Sequence, residues 1–181
     1  IVNATGSDAS DINRMLEIEY PIKAIKQQLF TTSEYMQYKN SYPVVIYPSV
    51  GLGFHKDGNG ILSGLHLEKD DGNRYLDRRW EIENFKLLVN ELKGSGELRV
   101  RSRWIGYYDT TPDGDPIIEA NDRFNGCFNV FGFSGHGFMH SLAAGYIVSQ
   151  LILGKQPEID ISKYKGDRFR KSDNKSEIFK I

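Results

Sequence analysis

Three glycines, Gly132, Gly135 and Gly137, stand between an apolar run, Cys127-Phe-Asn-Val-Phe-Gly132, and a segment with helical spacing that carries Leu142, Ala143, Ile147, Val148, Leu151 and Ile152. A strand that turns through glycines straight into a helix aims unpaired backbone N–H groups and the positive helix end at one spot. Such a spot favours an anion. It suits a phosphate, and equally a reduced flavin, which carries negative charge around N1 and the C2 carbonyl. Glycines there let a backbone approach a ligand closely. A plain tight connection uses the same residues, so the turn alone leaves both readings open. The spacing Gly132-x-x-Gly135-x-Gly137 also differs from the dinucleotide pattern Gly-x-Gly-x-x-Gly, so nothing in the chain is expected to hold an adenine ribose pyrophosphate.

The bulk properties narrow the classes. With 181 residues the chain can bury a real core as one or two folding units, and 23 basic residues against 24 acidic ones give a net charge of −1. No basic field or stripe is present to gather nucleic acid. Cys127 is the single cysteine, which removes an intrachain disulfide and a thiolate metal cluster and fits a reducing cytoplasm. The longest apolar run, around Gly145–Leu153, is broken by Tyr146, Ser149 and Gln150 and is too short for a bilayer. The opening Ile-Val-Asn-Ala-Thr-Gly, without an initiator Met, reads as the middle of a protein.

The elements that must position the glycine turn follow from periodicity. The first six residues read as a short strand ending at Gly6, and a polar stretch rich in N-cap residues leads into a helix over Ile12–Ile18. Pro21–Thr32 is expected to be a long strand. Pro43–Tyr47, Leu52–Lys56 and Gly60–Leu67, separated by Pro48-Ser49 and by Lys56-Asp-Gly-Asn-Gly60 with its Asp-Gly and Asn-Gly turn signals, predict an antiparallel meander. Asp77–Lys93 places Trp80, Ile82, Phe85, Leu88, Val89 and Leu92 at helical spacing, with a glycine cap expected at Gly94-Ser95-Gly96. Leu98–Tyr108 alternates as a strand, and Thr111–Pro116 is dense turn chemistry. Phe54 and Tyr47 are read as core aromatics, not pocket walls, and Cys127 as a small core residue. The tail beyond Tyr164 is polar and expected to be loose.

The words in these segments resemble a known family. Gly132-Phe-Ser-Gly-His-Gly-Phe-Met-His140 followed by a helix is similar to the C-terminal motif of the D-amino-acid oxidase superfamily of FAD-dependent oxidoreductases, which includes glycine oxidase, sarcosine oxidase and amino-acid dehydrogenases. Trp104-x-Gly106, Thr111-Pro-Asp-Gly-x-Pro-Ile-Ile118 and Val2-Asn-Ala-Thr-Gly6 resemble other stretches of the same family in the same order, and Gly51–His66 is similar to its substrate-domain strands. The resemblance implies that the chain is the C-terminal, flavin-facing half of an enzyme. The family's N-terminal half, with its dinucleotide motif, would come from a preceding segment or from a partner chain.

Carried over residue by residue, the resemblance implies that Gly6 and the backbone of Ser134, Gly135, His136, Gly137, Phe138 and Met139 line a non-covalent FAD, the last six on the pyrimidine side. His136 is read either as a loop residue bonding its neighbours or as part of that lining, and His140 as a helix-face residue. His66 and Tyr108 align with residues beside an amine substrate; for His66 a solvent-exposed strand end is the equal alternative. Leu62 stands where the sarcosine oxidases have an oxygen-activating Lys, which leans toward a dehydrogenase. Met139 replaces a Lys that binds a substrate carboxylate, and Gly106 stands where some members attach flavin through Cys. No metal is implied.

The expected class is α+β: a mixed, mainly antiparallel substrate-domain sheet with flanking helices, plus a strand and helix from a Rossmann-like FAD domain. The expected division is 1–20 for a piece of the FAD domain, 21–108 for the substrate domain, 109–165 for the FAD-domain strand, helix and flavin-facing loop, and 166–181 for the tail. The implied activity is oxidation of an amine or amino acid by hydride transfer to flavin in a cytoplasmic enzyme. The competing expectation is a non-catalytic subunit, or inactive fragment, that completes a flavin site only with another chain.

Overall fold

The computed structural model describes residues 1–37, 43–66 and 74–170. In chain order they form β1 (Val2–Asn3), α1 (Ala9–Met15), β2 (Lys23–Thr32), β3 (Val45–Tyr47), β4 (Leu52–Asp57), β5 (Gly60–Leu65), α2 (Arg78–Glu91), β6 (Val100–Thr110), β7 (Ile117–Ala120), β8 (Phe128–Phe131), α3 (Gly137–Ile152) and α4 (Asp167–Arg170). Short 3-10 turns fall at Gly6–Asp8 and Ser162–Tyr164. The expected α+β class is the class observed. The chain divides into two compact units, Ile25–Tyr107 and the pair Ile1–Ala24 with Tyr108–Ile181.

The Ile25–Tyr107 unit is built on a five-stranded sheet of order β3-β4-β5-β2-β6, in which β3, β4, β5 and β2 pair antiparallel. The β4–β5 hairpin closes at Asp57↔Gly60, with Gly58 at φ +56, the left-handed conformation that such tight turns require. Along β5 the side chains of Ile61, Ser63 and Leu65 are buried while Leu62 and Gly64 face the other way, the period of a pleated strand. Helix α2 covers the buried face. Trp80 Nε1 donates to Leu65 O at 3.2 Å and Ser63 Oγ donates to Asn84 Oδ1 at 2.8 Å. Phe30, Leu52, Phe54, Ile61 and Leu88 fill the space between, each burial stabilising by roughly 1.5–3 kcal/mol. Tyr47 stacks on Phe54 with ring centroids 6.3 Å apart, so both aromatics belong to this core. Leu67, expected to end β5, lies outside the described residues.

Both ends of α2 are fixed by side chains. The Asp77 carboxylate accepts from Arg79 N–H at 2.8 Å as the N-cap. Asp77's own backbone is gripped by Gln28 of β2, whose amide donates to Asp77 O at 3.0 Å and accepts from Asp77 N–H at 2.7 Å. The glycine cap expected at Gly94-Ser95-Gly96 does not end the helix. Leu92 turns extended (φ −107, ψ 110) to reach the core, and the Ser95 hydroxyl, 2.6 Å from Leu92 O and 3.0 Å from Val89 O, serves the last carbonyls instead.

The other unit carries a three-stranded sheet of order β1-β8-β7, with β1 parallel to β8 and β7 antiparallel to it. Helix α3 packs on β7 and β8 through Ala144, Ile147 and Val148 against Ile118. The first strand is shorter than the expected run to Gly6, because Gly6 already opens a 3-10 turn. Helix α1 lies earlier than the expected Ile12–Ile18. It ends in a Schellman turn: Ile18 N–H donates to Asn13 O and Glu17 N–H to Arg14 O, both at 3.0 Å, with Glu17 at φ +54.

The interior of this unit is partly polar. Asn3 Nδ2 donates to Asn13 Oδ1 at 3.1 Å. Tyr20 OH donates to Glu119, Asn129 Nδ2 donates to Tyr20 Oη at 3.0 Å and to Glu119 Oε1 at 3.2 Å, and Gly166 N–H donates to Glu119 Oε2 at 2.8 Å. Cys127 is buried beside β8. The stretch from 166, expected to be loose, begins with that Gly166 contact and with α4, and residues 171–181 lie outside the described residues. Arg168 of α4 grips Asp113 with two bonds of 2.7 and 3.2 Å. Partial burial works against ionisation of Asp113, but the Arg168 guanidinium, the Asp115 N–H and the Thr111 hydroxyl outweigh it and hold the carboxyl below the ordinary aspartate range.

Two expectations test this framework. Glu17→Gly removes the Cβ penalty of a left-handed residue at the end of α1 and should stabilise the chain by about 0.5–1 kcal/mol in urea unfolding, since glycine's greater unfolded freedom offsets part of the gain. Because the Asp113 pKa is lowered on folding, its ion pair contributes stability above the unfolded-state pKa of about 4 and loses it as pH falls through the folded value. Melting temperatures of wild type and Asp113→Asn should therefore differ at neutral pH and converge in acid; a constant gap would contradict the assignment.

Candidate functional site

Tyr108, Asp109 and Thr111 leave the end of β6 and meet the turn that joins β8 to α3. Within that turn Gly132, Ser134 and Gly135 have φ of +80, +53 and +92, so the reversal is left-handed at three positions. Asp109 holds it twice: its carboxylate accepts from Gly132 N–H at 2.5 Å and its carbonyl accepts from Ser134 N–H at 3.1 Å. Thr111 N–H donates to Ser134 Oγ at 3.4 Å. A Cβ at Gly132 would lie 2.7 Å from the Thr111 methyl, and one at Gly135 would lie 2.7–3.0 Å from the Tyr108 ring. Glycine is required at both places by contact as well as by dihedral angle.

The turn delivers the chain into α3 with His136 as N-cap, its N–H donating to Phe133 O at 2.9 Å. The His136 side chain makes no capping bond, and the first turn of α3 holds no acidic residue. The amide groups of Gly137, Phe138 and Met139 therefore present a positive helix end without a compensating side chain of the cap. The side chains of Phe138 and Met139 are exposed, at 96% and 70%.

A cavity of about 560 Å³ opens along α3, lined by Ala4 and Gly6 from the loop after β1, by Asp109, and by Gly137, Ser141 and Gly145 of the helix. A Cβ added at Gly6 or Gly145 would meet nothing within 4 Å, so these glycines leave volume open. A second cavity of about 500 Å³ on the other flank is lined by His136, His140, Asp113 and Asp115. There His140 stacks on Phe133 with centroids 6.4 Å apart, as a helix-face residue. An uncapped helix end and an adjoining cavity that Gly6 and Gly145 leave open fit the pyrimidine end of a flavin and the chain leading from it.

Among the residues singled out in the sequence, the structure brings Tyr108 against Gly135 and places Gly6 with Gly137 around one cavity. His66 belongs to the Ile25–Tyr107 unit. It follows β5, its N–H donates to Gly51 O at 2.8 Å, and its side chain is exposed in register with Leu62 and Gly64 on the face opposite α2. On that face Gly53 and Gly64 form a direct cross-strand pair, and the Leu29 side chain lies over Gly64. Asp109 and Thr111 were not legible as holders of the turn, since their partners are more than twenty residues away. Ser141, Gly145 and Ser149 carried a signal that could have been used: small residues repeating every fourth position along one helix face. Among the described residues no helix is long and apolar enough to cross a membrane.

Known proteins share this arrangement. The profile of the family described as FAD dependent oxidoreductase matches residues 1–151. FAD-dependent oxidoreductase domain-containing protein 1 of Xenopus laevis is 33% identical, with 93% of this chain and 38% of that protein covered. Monomeric sarcosine oxidase of Bacillus sp. (strain NS-129) is 25% identical over 93% of this chain and 47% of its own length. Among solved structures, L-proline dehydrogenase from P. horikoshii superimposes with a TM-score of 0.85 at 28% identity, covering 94% of this chain and 47% of that one. Glycine oxidase from Geobacillus kaustophilus, at 19% identity and a TM-score of 0.78, shares the fold. The chain thus spans less than half the length of each of these relatives. With a match over residues 1–151 and a glycine turn of this geometry, the chain belongs to the FAD-dependent oxidoreductase family.

Proposed function

We propose that this chain is the flavin-facing part of an enzyme that oxidises an amine or amino acid, more a dehydrogenase than an oxidase. The observation that carries the reading is the left-handed turn from Gly132 to Gly135, which delivers an uncapped helix end in a chain of this family. A bound flavin supplies the hydride acceptor. The backbone N–H groups at the start of α3 stabilise negative charge at the pyrimidine edge, Gly135 makes room for the Tyr108 ring, and Tyr108 borders the substrate space. The resemblance carries His66 over as a residue beside the amine, and such an enzyme need only orient that amine, keep it unprotonated and exclude water. Leu62 in place of a Lys removes the cation that assists oxygen in the sarcosine oxidases, which supports a different electron acceptor. The relatives named for sarcosine, glycine and L-proline define the substrate classes to try first.

A second reading is favoured by one observation: the 181 residues contain no Gly-x-Gly-x-x-Gly pattern. In it the chain is a non-catalytic subunit that completes a flavin site with a partner chain carrying that pattern.

The test is a visible spectrum of the protein with FAD, followed by anaerobic addition of sarcosine, glycine, L-proline and D-amino acids and reoxidation by a dye or by oxygen. A flavin that binds, bleaches with one of these and is reoxidised at least about tenfold faster by dye supports the dehydrogenase; rapid reoxidation by oxygen contradicts it, and failure to bind FAD without a second chain supports the subunit reading. Gly135→Ala, which drives a methyl into Tyr108, should weaken flavin binding at least about tenfold, while His136→Ala, whose ring caps nothing, should change unfolding stability by no more than about 0.5 kcal/mol.

A further inference from the structure

Arg168 lies outside every motif that marks the family resemblance, yet it is bonded to the loop that supports the glycine turn. Its Nε and Nη2 reach the two carboxylate oxygens of Asp113 at 2.7 and 3.2 Å, Nη2 also reaches Asp115 O at 2.7 Å, and Nη1 reaches Lys165 O at 3.0 Å. The guanidinium lies 4.2 Å from the centre of the Phe169 ring, and the side chain is only 18% exposed. An ordinary surface ion pair contributes little, but a forked, stacked and largely shielded one orders what it holds.

What Arg168 holds is a short relay. Asp113 Oδ1 accepts from Asp115 N–H at 3.1 Å and from Thr111 Oγ at 3.2 Å, and the Thr111 hydroxyl lies 2.8 Å from Asp115 O. Thr111 is buried; its methyl is the group that Gly132 avoids, and its N–H donates to Ser134 Oγ. We propose that Arg168 is a positioning residue for the turn between β8 and α3, acting through Asp113 and Thr111 to set the backbone of Gly132–Ser134. Its effect on cofactor rests on the reading of that turn as flavin-facing; its effect on the turn does not. Lysine cannot substitute fully, because one ammonium cannot fork a carboxylate and bind a carbonyl in the same plane.

The experiment compares wild type, Arg168→Ala, Arg168→Lys and Asp113→Asn in the FAD-treated protein, by amide hydrogen exchange and by the flavin absorption spectrum. In Arg168→Ala the amides of Gly132 and Ser134 should exchange roughly tenfold faster, the factor for losing one charge-assisted bond, while those of α3 beyond Ala144 keep their wild-type rates. Arg168→Lys should recover part of the protection, Asp113→Asn should match Arg168→Ala, and combining Arg168→Ala with Asp113→Asn should add little, as expected for one relay. The flavin band should shift in the same variants. Faster exchange confined to residues 163–170, with the turn unchanged, overturns the proposal. If wild type binds no flavin without a second chain, the subunit reading is supported and the exchange rates alone decide the role of Arg168; if Arg168→Ala does not fold, Arg168→Lys and Asp113→Asn give the same discrimination.

Discussion

The constraint on which the site depends is the reversal between Phe131 and Gly137. An extended strand must become a helix there, and it does so through three residues on the left-handed side of the dihedral map. Ser134 is the costly one, since an L side chain resists that conformation by about 1–2 kcal/mol. The cost is met by the hydrogen bonds that Asp109 accepts from the Gly132 and Ser134 N–H groups and by the one the Thr111 N–H donates to the Ser134 hydroxyl. Strain held in this way delivers the chain into α3, whose first amides have no side-chain partner from their own cap.

The glycine turn was legible because its signal is local. Glycines 132, 135 and 137, followed by a helical pattern, announce the turn, and their spacing alone separates it from a dinucleotide loop. The supports were not legible, because Asp109, Thr111 and Arg168 meet the turn or its loop only after folding. Element types followed the hydrophobic periods well, since α2 and the β4–β5 hairpin each bury one regular face. Their ends did not. Leu92 leaves α2 because the core draws it in, and Glu17 closes α1 in a conformation that composition would assign to glycine.

The two units are held by different means. In Ile25–Tyr107 the aromatic and aliphatic cluster around Phe30, Leu52 and Leu88 does most of the stabilising. In the other unit a buried polar network ties together segments distant along the chain: Asn3 with Asn13, then Tyr20, Glu119 and Asn129, then the amide of Gly166. Such a network adds less stability than its bond count suggests, but each member has few alternative partners, which fixes strand register where the strands are only two to four residues long.

The grip of Gln28 on Asp77 is a side chain behaving as a piece of backbone. Its amide presents one donor and one acceptor to Asp77 as a neighbouring strand would. Glutamate has the reach but no donor, asparagine has the donor but is one methylene short, and methionine has the shape but neither group. Position 28 is therefore a vocabulary of one word, and protein libraries that treat it as an ordinary polar strand residue will spend most of their diversity on chains that cannot begin α2 correctly.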